Sequence, residues 1–201
     1  MARTRKVVVS VAVSADGYIA RPDGGVEWLD RPSTAGDYGM RAFLRSIDTI
    51  LWGRKTYEMA LGFGEKGTNF GRPVRNLVFT RGSLDTVAPG FELVREPIGE
   101  FTRRLRQQAG RDVWVMGGAD LIGSLLDADE VDALVLHVIP TLIGAGIPLL
   151  APRHRLVPLE LRSVKSFADG VIRVHYLVKR GGAAAGPPAA RRRPARRRPR
   201  P

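Results

Sequence analysis

The sequence predicts an α/β fold built on a mostly parallel sheet with an antiparallel C-terminal edge, and three observations carry that expectation. First, VWVMGGADLIGSLL at residues 113–126 passes from a β-branched and aromatic run through two glycines into apolar residues at helical spacing, Leu121, Ile122, Leu125 and Leu126. Second, the same strand–glycine–helix order occurs at WGRKTYE, residues 52–58. Third, the alternating runs Leu156–Phe167 and Val171–Lys179 flank Ala168, Asp169 and Gly170, an Asp-Gly turn signal that reads as a hairpin.

The remaining elements follow in chain order. Lys6–Ser14 is rich in valine and reads as a first core strand, followed by a Gly/Pro/Asp-rich loop over Ala15–Asp30. Asp37–Ser46 has Tyr38, Phe43 and Leu44 spaced to pack one helical face. Thr49–Trp52 is a strand, Lys55–Leu61 a short helix and Gly62–Pro73 a glycine-rich loop. Val74–Thr80 and Phe91–Val94 are strands, Ile98–Gln108 is a basic amphipathic helix, and Val131–Ile139 is a buried strand. No internal repeat is visible.

Composition bounds the function. The 201 residues contain 44% hydrophobic and 26% charged side chains, ordinary for one globular domain. There is no cysteine, which excludes disulfides and thiolate chemistry, and His137, His154 and His175 share no metal-ligand spacing. Net charge is +12, but residues 191–201 hold seven arginines and no acid. Residues 1–180 carry 25 basic against 20 acidic side chains, or +5. We therefore divide the chain into a domain over 1–180 and an Ala/Pro/Arg-rich tail over 181–201. The tail is expected to be disordered and to meet nucleic acid only non-specifically. Val7–Val13 is too short and too β-branched for an export segment, and the uncharged stretch Ala133–Pro152 is broken by Pro140, Pro148, Gly144 and Gly146. The expected location is the cytoplasm, with no membrane partner.

Three places suit an anion. The Gly117-Gly118 turn opens a helix whose backbone N–H groups can meet a phosphate. Arg54 and Lys55 stand at a helix N-terminus, where cations oppose the helix dipole unless an anion sits there, with Thr56 adding a hydroxyl. Thr80 and Arg81 follow the carboxyl end of a strand, the side on which open α/β sheets bind ligands. Three sites suggest an extended ligand with several phosphates, although the GxGxxG fingerprint is absent.

Five segments in order bring a family into view: SADGYIA from Ser14 to Ala20, DTILWGRKTYE from Asp48 to Glu58, RNLVFT from Arg75 to Thr80, VWVMGG from Val113 to Gly118, and HVIPTLIGAGIPLL from His137 to Leu150. Together they resemble the dihydrofolate reductase superfamily, and within it the stand-alone relatives of the reductase domain of riboflavin-pathway deaminase–reductases. The resemblance implies a three-layer fold with helices on both sheet faces, NADPH as cofactor, no metal, and a homodimer. Gly53, Arg54, Lys55 and Thr56 would hold phosphates, Thr80 and Arg81 the 2′-phosphate, and Gly117 and Gly118 the pyrophosphate and nicotinamide ribose. Asp16, Trp28, Asp37 and Tyr57 would face the substrate, with Asp37 in the first turn of its helix as the catalytic carboxylate. The leading substrate is 5-amino-6-(5-phosphoribosylamino)uracil. Dihydrofolate or another pterin is the alternative, because Met116 stands where riboflavin-pathway reductases usually carry a glutamate. A reading from another class is a non-catalytic nucleotide-binding protein whose basic tail contacts nucleic acid.

Overall fold

A computed structural model describes residues 5–30, 36–84, 86–153 and 155–179. The Arg-rich tail expected at 181–201 lies outside the described residues. Ten strands and five helices are arranged as β1 (Val7–Ser14), β2 (Tyr18–Ala20), α1 (Met40–Ser46), β3 (Ile47–Gly53), α2 (Arg54–Gly62), α3 (Glu65–Thr68), β4 (Arg75–Phe79), β5 (Phe91–Val94), α4 (Ile98–Gln107), β6 (Asp112–Gly117), α5 (Ala119–Asp127), β7 (Ala133–Ile139), β8 (Ile147–Pro148), β9 (Leu159–Ser166) and β10 (Ile172–Val178). Eight of the strands form one sheet in the order β5-β4-β3-β6-β1-β7-β10-β9. All pairings from β5 to β7 are parallel, while β10 runs antiparallel to both β7 and β9.

The buried central strands separate their side chains between two cores, as alternation requires. On one face Val7, Val9, Leu51, Leu77, Val113 and Val115 pack with Leu105 of α4 and Leu121, Ile122 and Leu125 of α5. On the other, Ile50, Trp52, Val78 and Trp114 pack with Tyr57 and Ala60 of α2 and with Phe43 and Leu44 of α1. This is the three-layer arrangement expected. Its cost in buried polar groups is offset locally: Trp52 Nε1 donates to Asn76 Oδ1 at 3.0 Å and Trp114 Nε1 to the Ser10 carbonyl at 2.9 Å.

The structure departs from the sequence reading in three places. The segment 15–30 is not simply a loop: β2 pairs antiparallel with β8, and Glu27–Leu29 form a 3₁₀ turn. The segment 62–73 contains the single-turn helix α3. Helix α1 starts at Met40 rather than Asp37, because Tyr38 (φ 52°) and Gly39 (φ 86°) occupy the left-handed region, which no right-handed helix admits. At the C-terminal edge all eight residues of β9 are exposed. No helix among the described residues is long and apolar enough to cross a membrane.

Candidate active site

Parallel strands deliver their carboxyl ends to one edge of the sheet, and there a cavity of about 1620 Å³ opens. Its walls include Gly53, Arg54, Lys55 and Thr56, then Thr80 and Arg81, then Gly118 and Asp120. All three anion-suited segments of the sequence therefore reach the same space. Neither Gly53, the N-cap of α2, nor Gly118, the N-cap of α5, is accompanied by a side-chain cap. The first-turn N–H groups of both helices are thus left for other partners.

The two turns pack closely. A Cβ on Gly53 would stand 3.1 Å from the Gly117 carbonyl oxygen and from the Gly118 nitrogen, and one on Gly118 would stand 3.3 Å from Thr56 Oγ1. Glycine at both positions keeps open a cradle roofed by the Thr56 hydroxyl. Gly117 (φ 117°) is joined to Gly118 by a cis peptide and, unlike Gly118, is not among the residues that line the cavity. Arg54 is partly engaged, since Nη1 pairs with Glu58 Oε1 at 3.3 Å.

Sequence reasoning missed Arg95. It lines the cavity one residue after β5 and donates from Nη2 to the Leu84 carbonyl at 2.7 Å and from Nη1 to the Gly82 carbonyl at 3.3 Å. It thereby ties the loop after Thr80 and Arg81 to the end of the neighbouring strand. The signal was the same one that picked out Arg81, a cation following a short strand. His137, which the sequence excluded only as a metal ligand, was also missed. It projects from β7 into the cavity beside Tyr38, and burial holds its imidazole below the ordinary histidine value.

Beyond Gly118 the cavity continues over β1 and β7, lined by Ser10, Ala12, Ile19, Ala20, Asp23, Leu29, Asp37, Tyr38, Met40, Trp114, Met116, His137, Ile139 and Val171. Asp37 lies here, exposed, three residues before α1. Its Oδ2 accepts from the Arg41 N–H and its Oδ1 from the Gly39 N–H, both at 3.0 Å. Those amides hold its carboxyl below the usual carboxylate range, so it faces the cavity as an anion. The next residue, Tyr38, is held from behind: its hydroxyl donates to Asp169 Oδ2 at 2.7 Å and its carbonyl accepts from Arg173 Nη1 at 3.1 Å.

The other three residues expected at the substrate do not line the cavity. Asp16 is bound to loops: it accepts from the Ser14 hydroxyl at 2.6 Å and, through Oδ2, from the Gly144 N–H at 2.8 Å and the Ile143 N–H at 3.2 Å. Trp28 is buried against Ile139 and Val171. Tyr57 lies on the sheet-facing side of α2, where its hydroxyl accepts from the Ala88 N–H at 2.8 Å and its ring meets Phe91. Helical rotation separates Tyr57 from Thr56, which faces the cavity.

Comparison with known proteins bears on this arrangement. Residues 86–173 match the family model described as the RibD C-terminal domain. YwjB, an uncharacterized protein of Bacillus subtilis (strain 168), is 36% identical over 177 residues, covering 86% of this chain and 98% of its own. The chain belongs to the RibD C-terminal domain family. Its fold is also that of a putative riboflavin biosynthesis protein from Shewanella sp. PV-4 (TM-score 0.77, 24% identity, 87% of this chain and 99% of that one). A dihydrofolate reductase from Enterococcus faecalis, solved with NADP(H), shares it too (TM-score 0.60, 16% identity, 86% of this chain and 96% of that one). The dihydrofolate-reductase-like fold expected from the sequence is thus the fold this family member adopts.

Proposed function

We propose that the protein is an NADPH-dependent reductase acting on a C=N or C=O bond of a pterin- or pyrimidine-type heterocycle. The observation that carries the reading is the convergence of three anion-suited strand ends on one cavity that continues into an apolar half beyond the glycine cradle. Family membership supports the same reaction class. The chain's own residues fit the cofactor: the glycine cradle at Gly53 and Gly118 admits a phosphate to backbone N–H groups, and Thr56 adds a hydroxyl. Arg54 and Lys55 supply charge beside it, with Gly117, whose positive φ suits glycine, shaping the turn. Thr80 and Arg81, steadied by Arg95, suit a further phosphate at the outer end, which favours NADPH over NADH.

When bound, NADPH supplies the hydride. The protein's part is orientation and electrostatics. Asp37 presents an ionised carboxylate that accepts from a ring N–H edge and raises the basicity of the ring. Ile19, Ala20 and Trp114 supply apolar surface against which a flat ring is held. The test is an NADPH-oxidation screen against dihydrofolate, dihydropterins, and 5-amino-6-ribosylaminouracil with and without its 5′-phosphate. Oxidation dependent on one of them supports the assignment, and none with any of them sinks it.

The same reading includes a homodimer. Leu161 and Val164 of β9, each 56% exposed, stand opposite Tyr176 and Val174 of β10 and extend the apolar face that α4 and α5 cover further along the sheet. A second copy laid on this face would remove them from water.

A further inference from the structure

The cavity is divided by charge. Over the ends of β3, β4 and β5 its lining carries Arg54, Lys55, Arg81 and Arg95. Two acids, Glu96 and Asp120, share that half, and Glu96 is paired with Arg104. Over β1 and β7 the charged groups in the described lining are two carboxylates, Asp23 and Asp37. Asp37 is held ionised by its two amide donors. Asp23 lies in the turn that follows β2, where its Oδ1 accepts from the Gly25 N–H at 2.8 Å. His137 of β7 lines the same half, and burial, with the nearby Arg173 charge and against its contact with the Tyr38 carbonyl, holds its imidazole below the ordinary histidine value. Arg173 approaches this half from behind Gly39 but is engaged on the Tyr38 carbonyl and is not part of the lining. The remaining walls are mostly apolar, with Ala12, Leu29, Met40, Met116, Ile139 and Val171 beside Ser10 and Tyr38.

A phosphate or carboxylate entering the second half would leave water for apolar walls and meet two like charges without a cation in the described lining. A neutral or cationic ring bearing amino and N–H groups would instead find two acceptors. We infer that this protein's substrate is an unphosphorylated, non-carboxylated heterocycle with an N–H-rich edge, and that Asp23 and Asp37 exclude the phosphorylated form. The inference rests on the reductase reading and narrows it. It also departs from the phosphoribosylaminouracil that the sequence resemblance puts first.

The test compares one heterocycle with and without its phosphate: 5-amino-6-ribosylaminouracil and its 5′-phosphate. Each is titrated into the full-length protein saturated with NADP⁺ and followed by the fluorescence of Trp114 and its neighbours. Two carboxylates facing a dianion through partly screened solvent give the unphosphorylated compound an advantage of about tenfold. The D23N/D37N double variant should bring that ratio close to one, mainly by strengthening the phosphate's binding, an effect that general loss of folding would not produce. Equal or tighter binding of the phosphate by the unaltered protein overturns the inference. So does failure of both compounds to bind, or a preference that persists unchanged in the double variant. NADPH titrated alone separates the two levels: if it binds while the phosphate is preferred, only the charge-exclusion inference falls, whereas if it does not bind, the reductase reading falls with it.

Discussion

Substituting Gly146 by alanine should open the substrate half of the cavity while leaving most of the fold intact. A Cβ at this position would fall well inside contact distance of the Ala20 carbonyl oxygen, a backbone atom that cannot rotate away, and would also press on Ile143. The β2–β8 ribbon that joins these segments has only two paired positions, Tyr18 with Pro148 and Ala20 with Ile147. Overpacking of this kind costs about 1–3 kcal/mol, more than so short a ribbon can absorb, so the strain should be relieved by local separation. Ile19, Ala20 and Asp23 would then leave the cavity wall. If closure of this loop is needed for the heterocycle, about 2 kcal/mol against it weakens apparent affinity by roughly thirtyfold. Thr80, Arg81 and Arg95 lie on the far side of the sheet order, so NADPH should lose much less. Heterocycle and NADPH affinities are measured by fluorescence titration and the fold by thermal melting. Gly62→Ala is the matched control: nothing lies within 4 Å of its Cβ at the end of α2, and a helical alanine there should stabilise by about 0.5–1 kcal/mol. Unchanged heterocycle affinity in Gly146→Ala, or an equal loss for both ligands, would show that the β2–β8 ribbon does not wall the heterocycle's half of the cavity.

Other consequences follow from single contacts. Arg5, 4% exposed, donates to the Arg111 carbonyl at 2.6 Å and to Thr49 Oγ1 at 2.7 Å and pairs with Asp48. Arg5→Ala leaves those acceptors unmet and should cost about 2–3 kcal/mol, lowering the melting temperature by roughly 5–10 °C. If the proposed homodimer forms through β9, the unaltered protein should be dimeric in light scattering and the L161D/V164D double variant monomeric with its secondary structure intact, whereas a monomeric unaltered protein or a dimeric variant would overturn that interface. His137 has a depressed value in the fold, so the unfolded chain takes up its proton first. Stability from this residue is therefore full above about pH 6.5 and declines as pH falls toward the folded-state value. In His137→Gln that part of the decline should vanish from the pH dependence of chemical denaturation. Asp16 is held below the usual carboxylate range, first by the Ser14 hydroxyl and then by the Gly144 and Ile143 amides. Its grip is therefore present at neutral pH and lost as acid passes the folded-state value, and Asp16→Asn should speed exchange of those two amides at pH 7.

The elements with a strong period were legible in the sequence. Lys6–Ser14, Phe91–Val94, Ile98–Gln108 and the strand–Gly-Gly–helix segment at 113–126 lie within a residue or two of β1, β5, α4, β6 and α5. Each carries enough apolar residues on one face to identify its own partner surface. The β2–β8 ribbon was not legible, because three residues and two residues reveal no alternation and their pairing is long-range. The start of α1 was misplaced for a different reason: Asp37 looks like a first-turn acid, but the left-handed Tyr38 and Gly39 delay the helix, and Asp37 caps it from outside. In the site, residues at strand ends were readable from glycine and cation placement. Tyr57 was misassigned because adjacency to Thr56 in sequence says nothing about which side of α2 each faces.

We place NADPH across the ends of β3, β4 and β6, with its outer phosphate at Thr80 and Arg81. Calorimetric titration of NADPH and NADH into the unaltered protein and Arg81→Ala tests this directly. Saturable NADPH binding is expected, with a clear preference over NADH, and Arg81→Ala should lose about 1.5–3 kcal/mol for NADPH and little for NADH. Absence of saturable NADPH binding, or equal affinity for the two nucleotides, would contradict it.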